Sequence, residues 1–200
     1  KFYEVMKNDP APMNGSQLFG VLYGSQFKFD KEKMPAEIDA LREKLMKEYE
    51  EGEKPERKKR ILLTGCPSSG APMKVVKAIE EHGGNVVVYE NCGGAKSVDR
   101  LIDEDAEDIY KAIAERYLAI GCSVMTPDNN RIELMGRLLE EYNIEGVVEM
   151  TLQACHTYNI EAKSIEKFVK SKGLPYIHVE TDYSQADIGQ LDTRIAAFLE

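Results

Sequence analysis

Short apolar runs alternate with amphipathic stretches over most of this chain. Ile61–Thr64, Asn85–Glu90, Gly146–Met150 and Tyr176–Glu180 are rich in β-branched and aromatic residues and read as strands. The stretches between them carry apolar residues at helical spacing. A helix near Pro72–Glu81 is stopped by Gly83-Gly84, and one over Asn129–Tyr142 buries Ile132, Met135, Leu138, Leu139 and Tyr142. A helix near Tyr158–Ser171 is ended by Gly173, and Ile188–Leu199 sets Ile188, Leu191, Ile195 and Phe198 on one face. The long connection after the second strand holds a further helix near Ala106–Leu118. Strands joined by helices of this length predict an α/β fold. It is a doubly wound, largely parallel four-stranded sheet with flanking helices, preceded by a helical N-terminal segment.

The opening residues differ in pattern. Phe2-Tyr3-Glu4-Val5-Met6-Lys7 reads as the tail of a helix, stopped by Asn8-Asp9-Pro10-Ala11-Pro12. Leu18–Tyr23 fits a short helix or a strand. Met34, Ile38, Leu41, Leu45 and Tyr49 recur at helical spacing, and Glu51–Arg60 is a charged linker. The expected division is residues 1–56, a helical linker segment from a missing N-terminal half, and residues 57–200, one α/β domain. Residues 1–55 are expected to pack loosely or extend away.

The chain has 200 residues, 42% of them apolar, enough for a sizeable core. A formal net charge of −9 argues against nucleic acid as a main partner, since phosphate binding needs a basic face. No apolar run approaches the roughly 20 residues of a membrane span. Four cysteines without an export signal read as reduced thiols of a cytoplasmic protein.

Those cysteines carry the candidate chemistry. Cys66 follows the first strand in Thr64-Gly65-Cys66-Pro67-Ser68-Ser69-Gly70, and Cys92 follows the second in Asn91-Cys92-Gly93-Gly94. Cys155 follows the third after a short turn, in Gln153-Ala154-Cys155-His156. Parallel strands would bring all three to one sheet edge, where open α/β sheets hold ligands. Cys122, in Ile120-Gly121-Cys122-Ser123, follows a helix, so the strand argument does not place it. Gathered thiolates suit a soft metal or a metal–sulfur cluster, and spacing alone leaves zinc open. A buried structural thiol is the competing reading for Cys66. His156 reads as a helix cap or a donor to a cluster, and His82 and His178 read as structural. Glu180, Asp182 and Asp187 read first as a solvated acidic loop.

Taken in order, Gly65-Cys66-Pro67, Glu90–Gly94, Cys122–Pro127, Ala154–Glu161 and Glu180–Asp187 resemble the 2-hydroxyacyl-CoA dehydratase D-component and benzoyl-CoA reductase family. With thiols at all four positions the chain is most similar to its double-cubane cluster branch, and looks like a C-terminal half. The resemblance implies an iron–sulfur cluster, [4Fe–4S] or double cubane, held by Cys155, Cys92, Cys122 and Cys66. It implies a dehydratase-like lyase or low-potential reductase component acting on an acyl-CoA or other small molecule. ATP would enter only through a separate activator protein, and a homo- or heterodimer is expected. The resemblance names no catalytic residue in this half. The alternative is a non-catalytic electron-transfer or cluster-holding module.

Overall fold

The apolar runs become strands that are buried on both faces, as a helix-covered parallel sheet requires. In a computed structural model of the protein, which describes residues 2–67 and 70–200, they are β1 Lys59–Gly65, β2 Gly84–Glu90, β3 Gly146–Leu152 and β4 Tyr176–Thr181. All three pairings are parallel and the strand order is β2-β1-β3-β4. The helices are α1 Gly15–Gln26, α2 Met34–Glu51, α3 Ala71–Glu81, α4 Ala95–Val98, α5 Ile109–Leu118, α6 Asn129–Glu141, α7 His156–Ser171 and α8 Ile188–Leu199. A 3-10 turn, Tyr3–Lys7, precedes them.

The strand order reverses between β1 and β3. From β1 the chain steps outward to β2, then returns to the other side of β1 for β3 and continues outward to β4. A crevice outside the carboxyl ends of the strands at such a switch point is where open α/β sheets bind ligands.

Two expectations need correction. Residues 2–19 do not pack loosely, because Phe2, Tyr3, Val5, Met6, Leu18 and Phe19 are buried in the main core. They cover β2, which would otherwise be an open edge. The Tyr3 hydroxyl donates to the Tyr89 carbonyl at 3.3 Å, Tyr89 donates to the Gly15 carbonyl at 2.8 Å, and Asn85 donates to the Met13 carbonyl at 3.0 Å. The hydroxyls of Tyr3 and Tyr89 and the amide of Asn85, rather than apolar periodicity, dock this segment. Only α2 has no buried residue, although Ile38, Leu45 and Met46 lean on the core. The ambiguous Leu18–Tyr23 stretch is helical, started by an Asn14/Gln17 capping box. The second correction lies in the long connection, where Asp108 accepts the Tyr110 and Lys111 N–H groups and begins α5 later than the apolar spacing suggests. Among the described residues, no helix is long and apolar enough to cross a membrane.

Gly65 ends β1 with φ +109°, and a Cβ there would stand 2.0 Å from the Met150 carbonyl oxygen. Only glycine lets β1 stay in register with β3 while the chain turns toward Cys66. Gly65→Ala is expected to lower stability by about 2 kcal/mol or more, read from the midpoint of urea unfolding.

Candidate metal centre

The four thiols occupy the carboxyl edge of the sheet as two pairs. Cys66 and Cys155 lie at the switch point. The Cys66 N–H donates to the Met150 carbonyl at 2.8 Å, and its sulfur accepts the Leu152 N–H at 3.3 Å. The Cys155 N–H donates to the Leu152 carbonyl at 3.0 Å, so the two cysteines bracket one residue of β3. Ala154, at φ +64°, makes the turn that returns Cys155 to this position. Ser68 and Ser69 of the Cys66 motif lie outside the described residues.

The two thiols of this pair differ electrostatically. Burial pushes the Cys66 thiol up to about 12, and its neighbour Cys155 adds to the rise. Burial also pushes Cys155 up, but hydrogen bonds from the Tyr158 N–H, the Thr157 hydroxyl and the Cys66 thiol outweigh it. The net result is a Cys155 thiol below its ordinary value, as expected for the residue that precedes the first turn of α7.

Cys92 and Cys122 form the second pair, at the end of β2. Cys92 is exposed as a residue, yet withdrawal from water pushes its thiol up. Lys96 pulls it back down, and the neighbouring Cys122 pushes it further up. Cys122 reaches this place because Gly121 lies against the Arg131 backbone, where a Cβ would come within 2.5 Å of the amide nitrogen.

Beneath both pairs lies a buried ion network. Arg131 has no exposed side-chain surface. Its Nε is 3.3 Å from Glu90 Oε2, and its Nη2 is 3.2 Å from Glu149 Oε1 and 2.8 Å from Thr64 Oγ1. Its Nη1 pairs with Glu161, and Lys96 Nζ is 3.1 Å from Glu90 Oε1. The Tyr176 hydroxyl donates to Glu149 at 2.7 Å. Burial draws Arg131 down, but Glu90, Glu149 and Glu161 outweigh it and hold the guanidinium firmly charged. None of these residues was a candidate from the sequence. A signal was present there: Glu90 ends one apolar strand, Glu149 interrupts another, and Arg131 shares a helix face with Leu134, Met135 and Leu138.

Over residues 1–200 the sequence matches the family described as 2-hydroxyglutaryl-CoA dehydratase, D-component. The chain belongs to this family. It is 47% identical over 200 residues to a protein of Escherichia coli K12 assigned provisionally as the dehydratase subunit YjiM, covering 100% of this chain and 52% of that one. It is 24% identical over 135 residues to a subunit of the benzoyl-CoA reductase of Thauera aromatica, covering 66% and 30% respectively. It is 26% identical over 102 residues to the beta subunit of (R)-2-hydroxyglutaryl-CoA dehydratase of Acidaminococcus fermentans, covering 48% and 27%. The chain therefore spans about half the length of the first relative, and its match covers less than a third of each of the other two.

The donors suit an iron–sulfur group in kind, since all four candidates are thiols on one edge. They meet in twos: among the described residues no three His, Cys, Asp or Glu side chains gather closely enough to hold a metal ion. His156 is the first residue of α7 and no side-chain bond caps that helix. His82 bridges to Asp192 at 2.7 Å and His178 to Thr151 at 2.8 Å, both structural contacts. The acidic residues after β4 are engaged: Asp187 and Asp182 face Lys74 at 2.5 and 3.8 Å, and Glu180 accepts from Asn159 at 3.0 Å.

Two measurements probe this edge. Iodoacetamide at pH 8 should alkylate Cys155 at least about a hundredfold faster than Cys66, because Cys155 deprotonates at lower pH and Cys66 is both protonated and buried. Peptide mass spectrometry reads the ratio, and equal rates would contradict the pairing. Arg131→Met should cost about 3–5 kcal/mol in urea unfolding, since it strands buried carboxylates.

Proposed function

We propose that this chain is a cluster-holding part of a 2-hydroxyacyl-CoA dehydratase or benzoyl-CoA reductase-like enzyme, with Cys155, Cys92, Cys122 and Cys66 as the iron ligands. The observation that carries the reading is the pairing of thiols at the carboxyl edge, with Cys66 and Cys155 at the topological switch point. An iron–sulfur cluster bound there, as [4Fe–4S] or double cubane, supplies one-electron chemistry at low potential. The chain's own contribution is to hold the thiols, to set their charge and to keep the site from water. Cys155 has the thiol most ready to ligate, because Thr157 and the start of α7 already favour its anion. Cys66 is released from its proton only when something replaces the stabilisation that burial removes.

Two pairs do not close a shell, so the proposal includes a companion half that faces this edge, with residues 1–56 as the joining segment and 57–200 as the cluster domain. It also includes an activator that hydrolyses ATP, a dimeric assembly and a cytoplasmic, anaerobic setting. The substrate is an acyl-CoA or another small molecule. A second reading is a module that holds a cluster without catalysing. Asp182 and Asp187 favour it, because both are tied to Lys74 rather than free to act as a base.

The test uses the full-length protein isolated without oxygen. It should contain iron and acid-labile sulfide, and Cys155→Ala should lower both and bleach the visible absorption. A Cys155→Ala protein with wild-type iron content would sink the ligand assignment. Activity with acyl-CoA, activator and ATP separates the enzyme from the module.

A further inference from the structure

A small recess opens between α4, the end of α5 and α6. Its charged lining is Lys96, Arg100, Arg116 and Arg137 against Asp99 and Glu133, with the Asn130 amide beside them. Cations thus prevail here, in a chain whose 35 acidic residues outnumber its 26 basic ones. The recess has about 30 Å³ of room. That admits roughly two water-sized oxygen atoms and excludes a whole metabolite.

The four cations are not equivalent. Lys96 Nζ is 3.1 Å from Glu90 Oε1, and Arg137 Nη2 is 2.7 Å from Asp99 Oδ2. Glu133, the other carboxylate of the lining, also acts on Arg137. Arg100 and Arg116 have no carboxylate partner among the described residues. Arg116 Nε donates to the Arg100 carbonyl at 3.2 Å and Nη2 to the Ser97 carbonyl, so its guanidinium is fixed while Nη1 stays unused. The Arg100 guanidinium and the Asn130 amide bond to no described residue. The Lys96 ammonium is buried and makes no well-formed hydrogen bond despite its ion pair. Spare donors on fixed or buried cations are costly to leave unmade, and an anionic acceptor satisfies several at once. A carboxylate brings two oxygens, whereas a terminal phosphate brings three and about two negative charges. The Tyr117 ring is exposed, with its centre 5.1 Å from Arg116 Cζ, and offers a flat apolar face to whatever the phosphate is attached to.

We propose that this recess binds the terminal phosphate of an organic phosphate through Arg100 and Arg116, with the organic part lying outside against Tyr117. Two sources share this chemistry, a coenzyme A thioester and a free nucleotide. The inference does not rest on the cluster-holding reading.

The test measures binding of coenzyme A and of ADP to the full-length protein by calorimetry at one ionic strength, with inorganic phosphate as competitor. At least one of the two should bind, and inorganic phosphate should displace it. Arg100→Ala should weaken that binding about tenfold. Arg100 is exposed and has no partner to lose, so the variant should keep the wild-type unfolding midpoint. Lys47→Ala removes the same charge from an exposed position on α2 and should change the affinity less than about twofold. Tighter binding of coenzyme A assigns the thioester as the source, and ADP binding equally or more tightly assigns the nucleotide. Absence of binding by both probes, no displacement by phosphate, unchanged affinity in Arg100→Ala, or equal losses in Arg100→Ala and Lys47→Ala overturns the proposal. Iron and sulfide analysis decides the cluster reading separately and leaves this result untouched.

Discussion

One guanidinium holds the carboxyl edge of this sheet together. Arg131 stands in the first turn of α6 and reaches Thr64 of β1, Glu90 of β2, Glu149 of β3 and Glu161 of α7. Each charge would be expensive to bury alone, by several kcal/mol per ion. Here three carboxylates face two cations, Arg131 and Lys96, with Lys96 Nζ and Glu90 Oε1 close but not well hydrogen-bonded. Burial raises Glu149 and Glu161 above the usual carboxylate range even against the pull of Arg131. Such an arrangement is weak as a source of net stability and strong as a device for geometry.

The geometry it sets is that of the thiols. Thr64 is two residues before Cys66, and Glu90 two before Cys92. Lys96 closes the turn that carries Cys92, and the Cys122 loop rests on the backbone of Arg131 itself. A shift of Arg131 would therefore move three cysteines at once. Cys155 is anchored differently, through the Leu152 carbonyl and the start of α7. That separation is visible in the chemistry. One pair sets a thiol favoured as an anion beside a thiol that burial keeps protonated, whereas burial also raises the Cys92 thiol and Lys96 offsets it only in part.

Much of this was legible from residue pattern. The four strands, their parallel order and the placing of Cys66, Cys92 and Cys155 at strand ends follow from β-branched runs separated by helical spacing. Cys122 was not placed by that argument, because its position depends on a tertiary contact of Gly121 that no periodicity encodes. The docking of residues 2–19 was missed for a similar reason. Tyr3, Tyr89 and Asn85 make it through polar bonds to backbone carbonyls, and a polar bond partner has no sequence period. The ion network was hidden by the rule that charged residues lie outside. Glu90, Glu149 and Arg131 break that rule together, and only their mutual satisfaction makes it tolerable.

The N-terminal segment and the ion network act on opposite sides of one problem. The first covers the edge of β2, so that the sheet is not open along that strand. The second engages the charged groups just beneath the carboxyl edge, under the turns that carry Cys66 and Cys92. Thiolates brought together without a cation repel one another. At Cys155 hydrogen bonds from the Tyr158 N–H and the Thr157 hydroxyl outweigh burial, whereas at Cys92 burial prevails. The charge beneath this edge is thus set by groups behind the cysteines. That is why the residues most worth reading beside the cysteines are Arg131 and Lys96.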